Sequence, residues 1–168
     1  QLVITTVSEV RSQIADSRHF LPDGDDMKFY NDWALRIKDG QLTDGKAFYG
    51  LPGYAYALGG IYKALGYDHE YTPFLIGQLQ AVFHALTCTF IFLIGARVFG
   101  PGERRANTAG IIGAVTWAAF TPAQVFSAIL MPTSWVICAF WGLVHWLLRT
   151  RENGTASAWR PWLLMGLF

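Results

Sequence analysis

Three aspartates, Asp23, Asp25 and Asp26, stand in the turn-rich run Pro22-Asp-Gly-Asp-Asp26, immediately before a stretch with helical periodicity. A carboxylate at that position can take a proton from an attacking hydroxyl or amine, or help hold a cation. The same residue type caps helices, because an Asp oxygen accepts from an exposed N–H and its charge suits the helix dipole. Capping and proton transfer are compatible roles for one side chain.

Other groups carry weaker chemical signals. Gln78, Gln80, His84, Gln124 and His145 are polar residues set in apolar runs, where they mark either a pathway or a contact between helices. Helix-to-helix hydrogen bonding is the simpler account. Cys88 and Cys138 are isolated in sequence and read as small apolar side chains, not as a disulfide or metal site. Phe83, Phe90, Phe92 and Phe99 read as lipid-facing packing. Gly110 and Gly113 read as close helix packing, since no glycine-rich phosphate loop follows a strand.

The elements that position these residues follow from the distribution of charge. Hydrophobic residues make up 52% of the chain and charged ones 15%, and ten of the 12 acids and seven of the 13 bases fall between Glu9 and Glu70. This first region is therefore a polar, net-negative head, residues 1–72. Within it Phe29, Tyr30, Trp33, Ala34 and Ile37 repeat at helical spacing, with Lys28, Asp32, Arg36 and Asp39 off that face. Gly40 ends this helix. After the polar loop Gln41-Leu-Thr-Asp-Gly-Lys-Ala47, a second helix is expected over roughly Tyr54–Leu65, stopping at Gly66. Both suit a membrane surface. Leu2-Val-Ile-Thr-Thr-Val7 is a remnant of a span or an extended segment.

Residues 73–168 are read as the transmembrane region. Roughly 26 uncharged residues separate Glu70 from Arg97, enough for one tilted crossing of a hydrocarbon core about 30 Å thick. Roughly 43 more lie between Arg105 and Arg149, which suits two crossings. Prolines at 122 and 132 bound the natural break. Spans are expected over about 73–99, 108–130 and 134–148, with a further one starting at 161–168. Arg97, Arg104 and Arg105 follow the first span and Arg149, Arg151 and Arg160 the third, so the positive-inside rule puts those loops in the cytoplasm and the head outside. No basic stripe outside these loops suggests nucleic-acid binding. With no signal-peptide pattern at Gln1 and an apolar run reaching Phe168, the chain reads as an internal fragment.

The run Asp25-Asp-Met-Lys-Phe-Tyr-Asn-Asp-Trp-Ala-Leu-Arg-Ile-Lys-Asp-Gly40, followed by Phe48-Tyr-Gly-Leu-Pro-Gly-Tyr-Ala-Tyr-Ala-Leu-Gly-Gly-Ile-Tyr-Lys-Ala-Leu-Gly66, resembles the first extracytoplasmic loop of GT-C membrane glycosyltransferases. The nearest branch includes dolichyl-phosphate-mannose protein mannosyltransferases and bacterial aminoarabinose transferases. Gln78-Leu-Gln80, Gly95-Ala-Arg-Val-Phe-Gly100 and Ala118-Ala-Phe-Thr-Pro122 continue the similarity from about residue 22 through nearly the whole chain.

The resemblance implies an all-α, multi-pass helical bundle of the bacterial inner membrane, with an extracytoplasmic loop carrying two interfacial helices. It implies inverting transfer of a sugar from a polyprenyl-phosphate donor to a protein, lipid or glycan acceptor. Asp26 matches the catalytic acid four residues before a tyrosine, with Asp25 as the near alternative. Lys28, Tyr30, Lys46 and Tyr54 are the substrate-binding candidates, and the two lysines are the extracytoplasmic bases that could stabilise the leaving phosphate. The one cofactor it allows is a divalent cation on Asp25 and Asp26. A second acid, which many relatives carry in the turn after the third family span, is missing from Leu130-Met-Pro-Thr-Ser134. Two rival expectations are a transporter, which would have broken spans, and a non-catalytic scaffold related to the transferases.

Overall fold

The computed structural model describes residues 25–43, 50–68, 71–99 and 104–154. All regular secondary structure among them is helical: α1 (Asp25–Lys38), α2 (Pro52–Leu65), α3 (Tyr71–Val98), α4 (Arg104–Ala118), α5 (Thr121–Ala128) and α6 (Thr133–Glu152). Asp23, Lys46, Leu2–Val7 and 161–168 lie outside the described residues.

The chain divides into two compact units. Among the described residues, those from 25 to 79 and 128 to 132 belong to one, and those from 80 to 127 and 133 to 154 to the other, with the division falling inside α3.

In the first unit α1 and α2 pack together. The face expected from periodicity is the one α1 buries, through Tyr30, Trp33, Ala34 and Ile37. The helix ends as expected at Gly40, whose φ of 92° needs no Cβ to be accommodated. There Gly40 N–H donates to Ile37 O and Gln41 N–H to Arg36 O, the paired bonds of a Schellman cap. Pro52 starts α2, where its missing N–H costs nothing, and Tyr54, Ala55, Leu58, Gly59 and Tyr62 form its buried face. Gly59 is required for close approach, since a Cβ there would stand 2.7 Å from Ile37 Cγ2.

The start of α3 is capped by a pair of bonds between Asp68, which precedes it, and its first two residues. Asp68 Oδ1 accepts from Tyr71 N–H, and Thr72 Oγ1 accepts from Asp68 N–H, a reciprocal pair of the capping-box type. Over its 28 residues α3 is mainly apolar and gathers its few polar side chains on no single face. It is long and apolar enough to cross a membrane.

In the second unit α4 and α5 form a bent pair, turned by 57°. The pair meets the length and hydropathy of a span only if counted as one broken crossing. The expected span, 108–120 with its extension to 130, is two helices parted at the proline break, because Pro122 denies Ala118 O its backbone donor. The third expected span corresponds to α6. Thr133, Ser134, His145 and three tryptophans lower its hydropathy, and Arg149, Arg151 and Glu152 fill its last turn, so it falls short of the standard α3 meets. Among the described residues one clear span candidate therefore stands where three spans were expected.

Candidate functional site

Asp26 is exposed in the first turn of α1. Residues three and four apart share a helix face, so Asp26 lies one turn before Phe29 and Tyr30 on the same side. Against these two rings sits the loop leading into α2. A Cβ on Gly50 would stand 2.9 Å from Tyr30 Oη and 3.3 Å from Phe29 Cε1, and the φ of 86° at Gly50 also favours glycine. Leu51 N–H donates to Tyr30 Oη at 3.2 Å. The acid-bearing end of α1 is in this way fixed to the start of α2.

Tyr30 and Tyr54, both candidates for substrate contact, meet edge to face at 5.2 Å and are buried. What each visibly does is pack. Burial pushes the Tyr54 phenol, and that of Tyr62, well above the usual tyrosine range, with neighbouring tyrosines adding to the effect. These hydroxyls stay protonated at neutral pH, and that of Tyr62 donates a hydrogen bond. Lys28 is exposed on α1.

A buried polar network underlies this surface. Tyr62 Oη donates to Asn31 Oδ1 at 3.0 Å, and Asn31 Nδ2 donates to Tyr67 Oη at 3.1 Å. Asn31 is 4% exposed, so the bonds satisfy an amide that would otherwise be costly to bury. Tyr67 immediately precedes Asp68, the cap of α3. A continuous path of contacts therefore links α1, α2 and the first turn of the long apolar helix. Sequence periodicity did not single out Asn31. Its partners lie 31 and 36 positions away.

Among the described residues no group of three or more His, Cys, Asp or Glu side chains gathers to hold a metal ion. Asp25 and Asp26 are consecutive on one helix, and a magnesium ion needs only one or two protein carboxylates when water and phosphate supply its remaining ligands.

In the second unit the polar residues serve the broken helix. Gln124 Nε2 donates to Ala118 O at 2.6 Å, replacing the N–H that Pro122 lacks. Gln80 Nε2 donates to Ser127 O at 3.1 Å and Ser134 Oγ to Phe126 O at 2.8 Å, satisfying carbonyls at the end of α5. Arg97 Nη1 donates to His145 Nδ1 at 3.2 Å, and Arg97 Nε pairs with Glu152 at 3.3 Å. Helix-to-helix bonding thus accounts for Gln80 and His145.

The phenylalanine stripe differs from expectation. Phe83 packs on Trp135, Phe90 on His145 and Gly142, and Phe92 against Gly110. Only Phe99 of the four is strongly exposed. The small residues opposite leave room for rings, so three of the four fill helix interfaces.

No protein-family model, curated protein or solved structure matches the chain.

Proposed function

We propose that this chain is part of a multi-pass membrane glycosyltransferase of the GT-C type, with Asp26 as the general base on the extracytoplasmic side of a bacterial inner membrane. The acceptor hydroxyl or amine attacks the anomeric carbon of a polyprenyl-phosphate-linked sugar and gives its proton to the Asp26 carboxylate. The bond from that carbon to the phosphate oxygen breaks, and the lipid phosphate leaves with the electron pair. Configuration inverts. Lys28, and Lys46 from the loop, are the cations that would favour the departing phosphate.

The observation that carries this reading is the fastening of the acid-bearing helix pair to the head of a long apolar helix, through Asn31, Tyr62, Tyr67 and Asp68. The helix that carries the exposed Asp26 is thereby fastened to the start of α3.

Membrane insertion is supported by the inverted polarity of the second unit. Val82, Ile111, Ile112, Val115, Val125 and Phe140 are exposed, while Gln80, Thr87 and Ser134 are buried. In water such a surface would be unfavourable, because exposed apolar area on this scale needs a cover. In addition, only 11% of the most apolar stretch of α3 is buried, unlike a helix in the core of a soluble protein.

The test is Asp26→Asn in the full-length protein, assayed in membranes for transfer from a polyprenyl-phosphate sugar. Loss of turnover by about 10²–10⁴-fold, with insertion intact and a smaller effect from Asp23→Asn, is the expected result. Undiminished turnover removes the assignment.

A transporter is the second reading, favoured by the 57° break between α4 and α5. Discontinuous helices are common at transporter binding sites. Solute uptake that persists in Asp26→Asn and fails when the break is straightened would favour it.

A further inference from the structure

The break between α4 and α5 opens onto a small cavity within the second unit. His84 and Thr87 of α3, Trp117 of α4, Ala123 and Phe126 of α5, and Thr133, Ser134 and Ile137 of α6 line it. Its volume is about 10 Å³, close to the least a single water requires and too small for an organic ligand. Trp117 Nε1 is buried and finds no acceptor among the described residues. An indole N–H in that condition carries the cost of a lost hydrogen bond.

Three of the other polar groups around the break already hold backbone carbonyls. The Gln124 amide donates to Ala118 O, Ser134 Oγ to Phe126 O, and Thr87 Oγ1 to Phe83 O. Each hydroxyl has given away its single proton, so it can only accept a further hydrogen bond. Trp117 is the donor and the hydroxyl oxygens of Thr87 and Ser134 are acceptors. The His84 ring, stacked on Trp117 with centroids 6.2 Å apart, adds a nitrogen that can accept in its neutral form.

We infer that this cavity is a specific site for one water molecule, which accepts a hydrogen bond from Trp117 Nε1 and donates its own protons to two of the acceptors supplied by His84, Thr87 and Ser134. Water is the ligand class that both fits the volume and joins a lone donor to several acceptors. A cation would meet the indole proton, and an anion would meet the hydroxyl lone pairs. The water completes the bonding of the helix break. The inference stands apart from the transferase reading.

The experiment is nuclear magnetic resonance on the detergent-solubilised full chain with ¹⁵N-labelled tryptophan. The Trp117 indole signal is identified by its loss in Trp117→Phe, or from its contact with the His84 ring if that variant does not fold. The expected result is a cross-peak between Trp117 Hε1 and water with the sign of a long-lived complex, retained when a paramagnetic chelate quenches bulk water and weakened in His84→Phe. Absence of the cross-peak, or a cross-peak with the sign of freely exchanging bulk water, overturns the inference.

Discussion

Gly95 and Gly110 face each other across α3 and α4 so closely that a Cβ on Gly95 would stand 2.8 Å from the Gly110 Cα. A Cβ on Gly110 would stand 2.6 Å from Phe92 O. Backbone, not a flexible side chain, occupies the space in both directions, so neither residue can be enlarged without moving a helix.

Gly95→Ala and Gly110→Ala should therefore each destabilise the protein by about 1–3 kcal/mol. Gly60 is the control. It lies inside α2 with nothing within 4 Å of its built Cβ, so Gly60→Ala should be neutral or stabilising by up to about 1 kcal/mol, because alanine is the better helix former. Unfolding curves in detergent measure all three. Equal effects at Gly60 and Gly110 would contradict close packing as the cause.

The buried phenols of the first unit set its alkaline stability. Tyr54 and Tyr62 have native pKa values raised above the ordinary tyrosine value of about 10. The folded state favours the protonated phenol, so this contribution is complete below about pH 10 and is lost as pH rises from there toward the native pKa. Helical signal from α1 and α2 should be flat from neutral pH to about pH 9 and fall above about pH 10. Tyr54→Phe should shift that fall to higher pH. Tyr62→Phe should do so as well, at a cost of about 1–3 kcal/mol at neutral pH, since Asn31 Oδ1 loses its donor. An unchanged alkaline midpoint in Tyr54→Phe would exclude this phenol as the titrating group.

At the far end of α3, the Arg97 pair with Glu152 is half open to water: the carboxylate side chain is 50% exposed and the guanidinium 24%. Solvent screens such a pair, so a double-mutant cycle with Arg97→Gln and Glu152→Gln should give a coupling below about 1 kcal/mol. The bond to His145 is different in kind. A guanidinium has no acceptor, so His145 Nδ1 must accept and the imidazole proton sits on Nε2. His145→Phe should thus cost more than Glu152→Gln in the same unfolding measurement. The reverse order would mean that the ion pair dominates this corner.

Much of the helical frame is legible in sequence because its signals are local. The buried face of α1, the stops at Gly40 and Gly66, the long apolar run of α3 and the proline break before α5 each depend on residues a few positions apart. Bonds between distant positions are not legible in this way. Asn31 reads as a polar residue beside an apolar stripe, yet it is buried because Tyr62 and Tyr67 meet it. Asp68 reads only as one more charge of the head, although it caps α3. At the candidate site, periodicity places Asp26 correctly at the exposed start of a helix. The same periodicity places Tyr30 on the buried face, where its hydroxyl meets a loop that sequence did not bring near.

Gln124 and Pro122 provide the sharpest test of how the bent pair is held. Pro122 has no N–H for Ala118 O, and the Gln124 amide supplies one at 2.6 Å. Alone, Gln124→Leu leaves that carbonyl unsatisfied and should cost about 1–3 kcal/mol. Pro122→Ala returns a backbone donor to the position four residues after Ala118, which permits an ordinary helical bond and a smaller bend than 57°. With that donor restored, Gln124→Leu should lose most of its effect, so the cycle of the two substitutions should show a coupling of at least about 1 kcal/mol. Spin labels on α4 and α5 should at the same time report straightening in Pro122→Ala. Additive costs, with an unchanged distance between the labels, would mean that packing of α5 against its neighbours, and not the missing N–H, sets the bend.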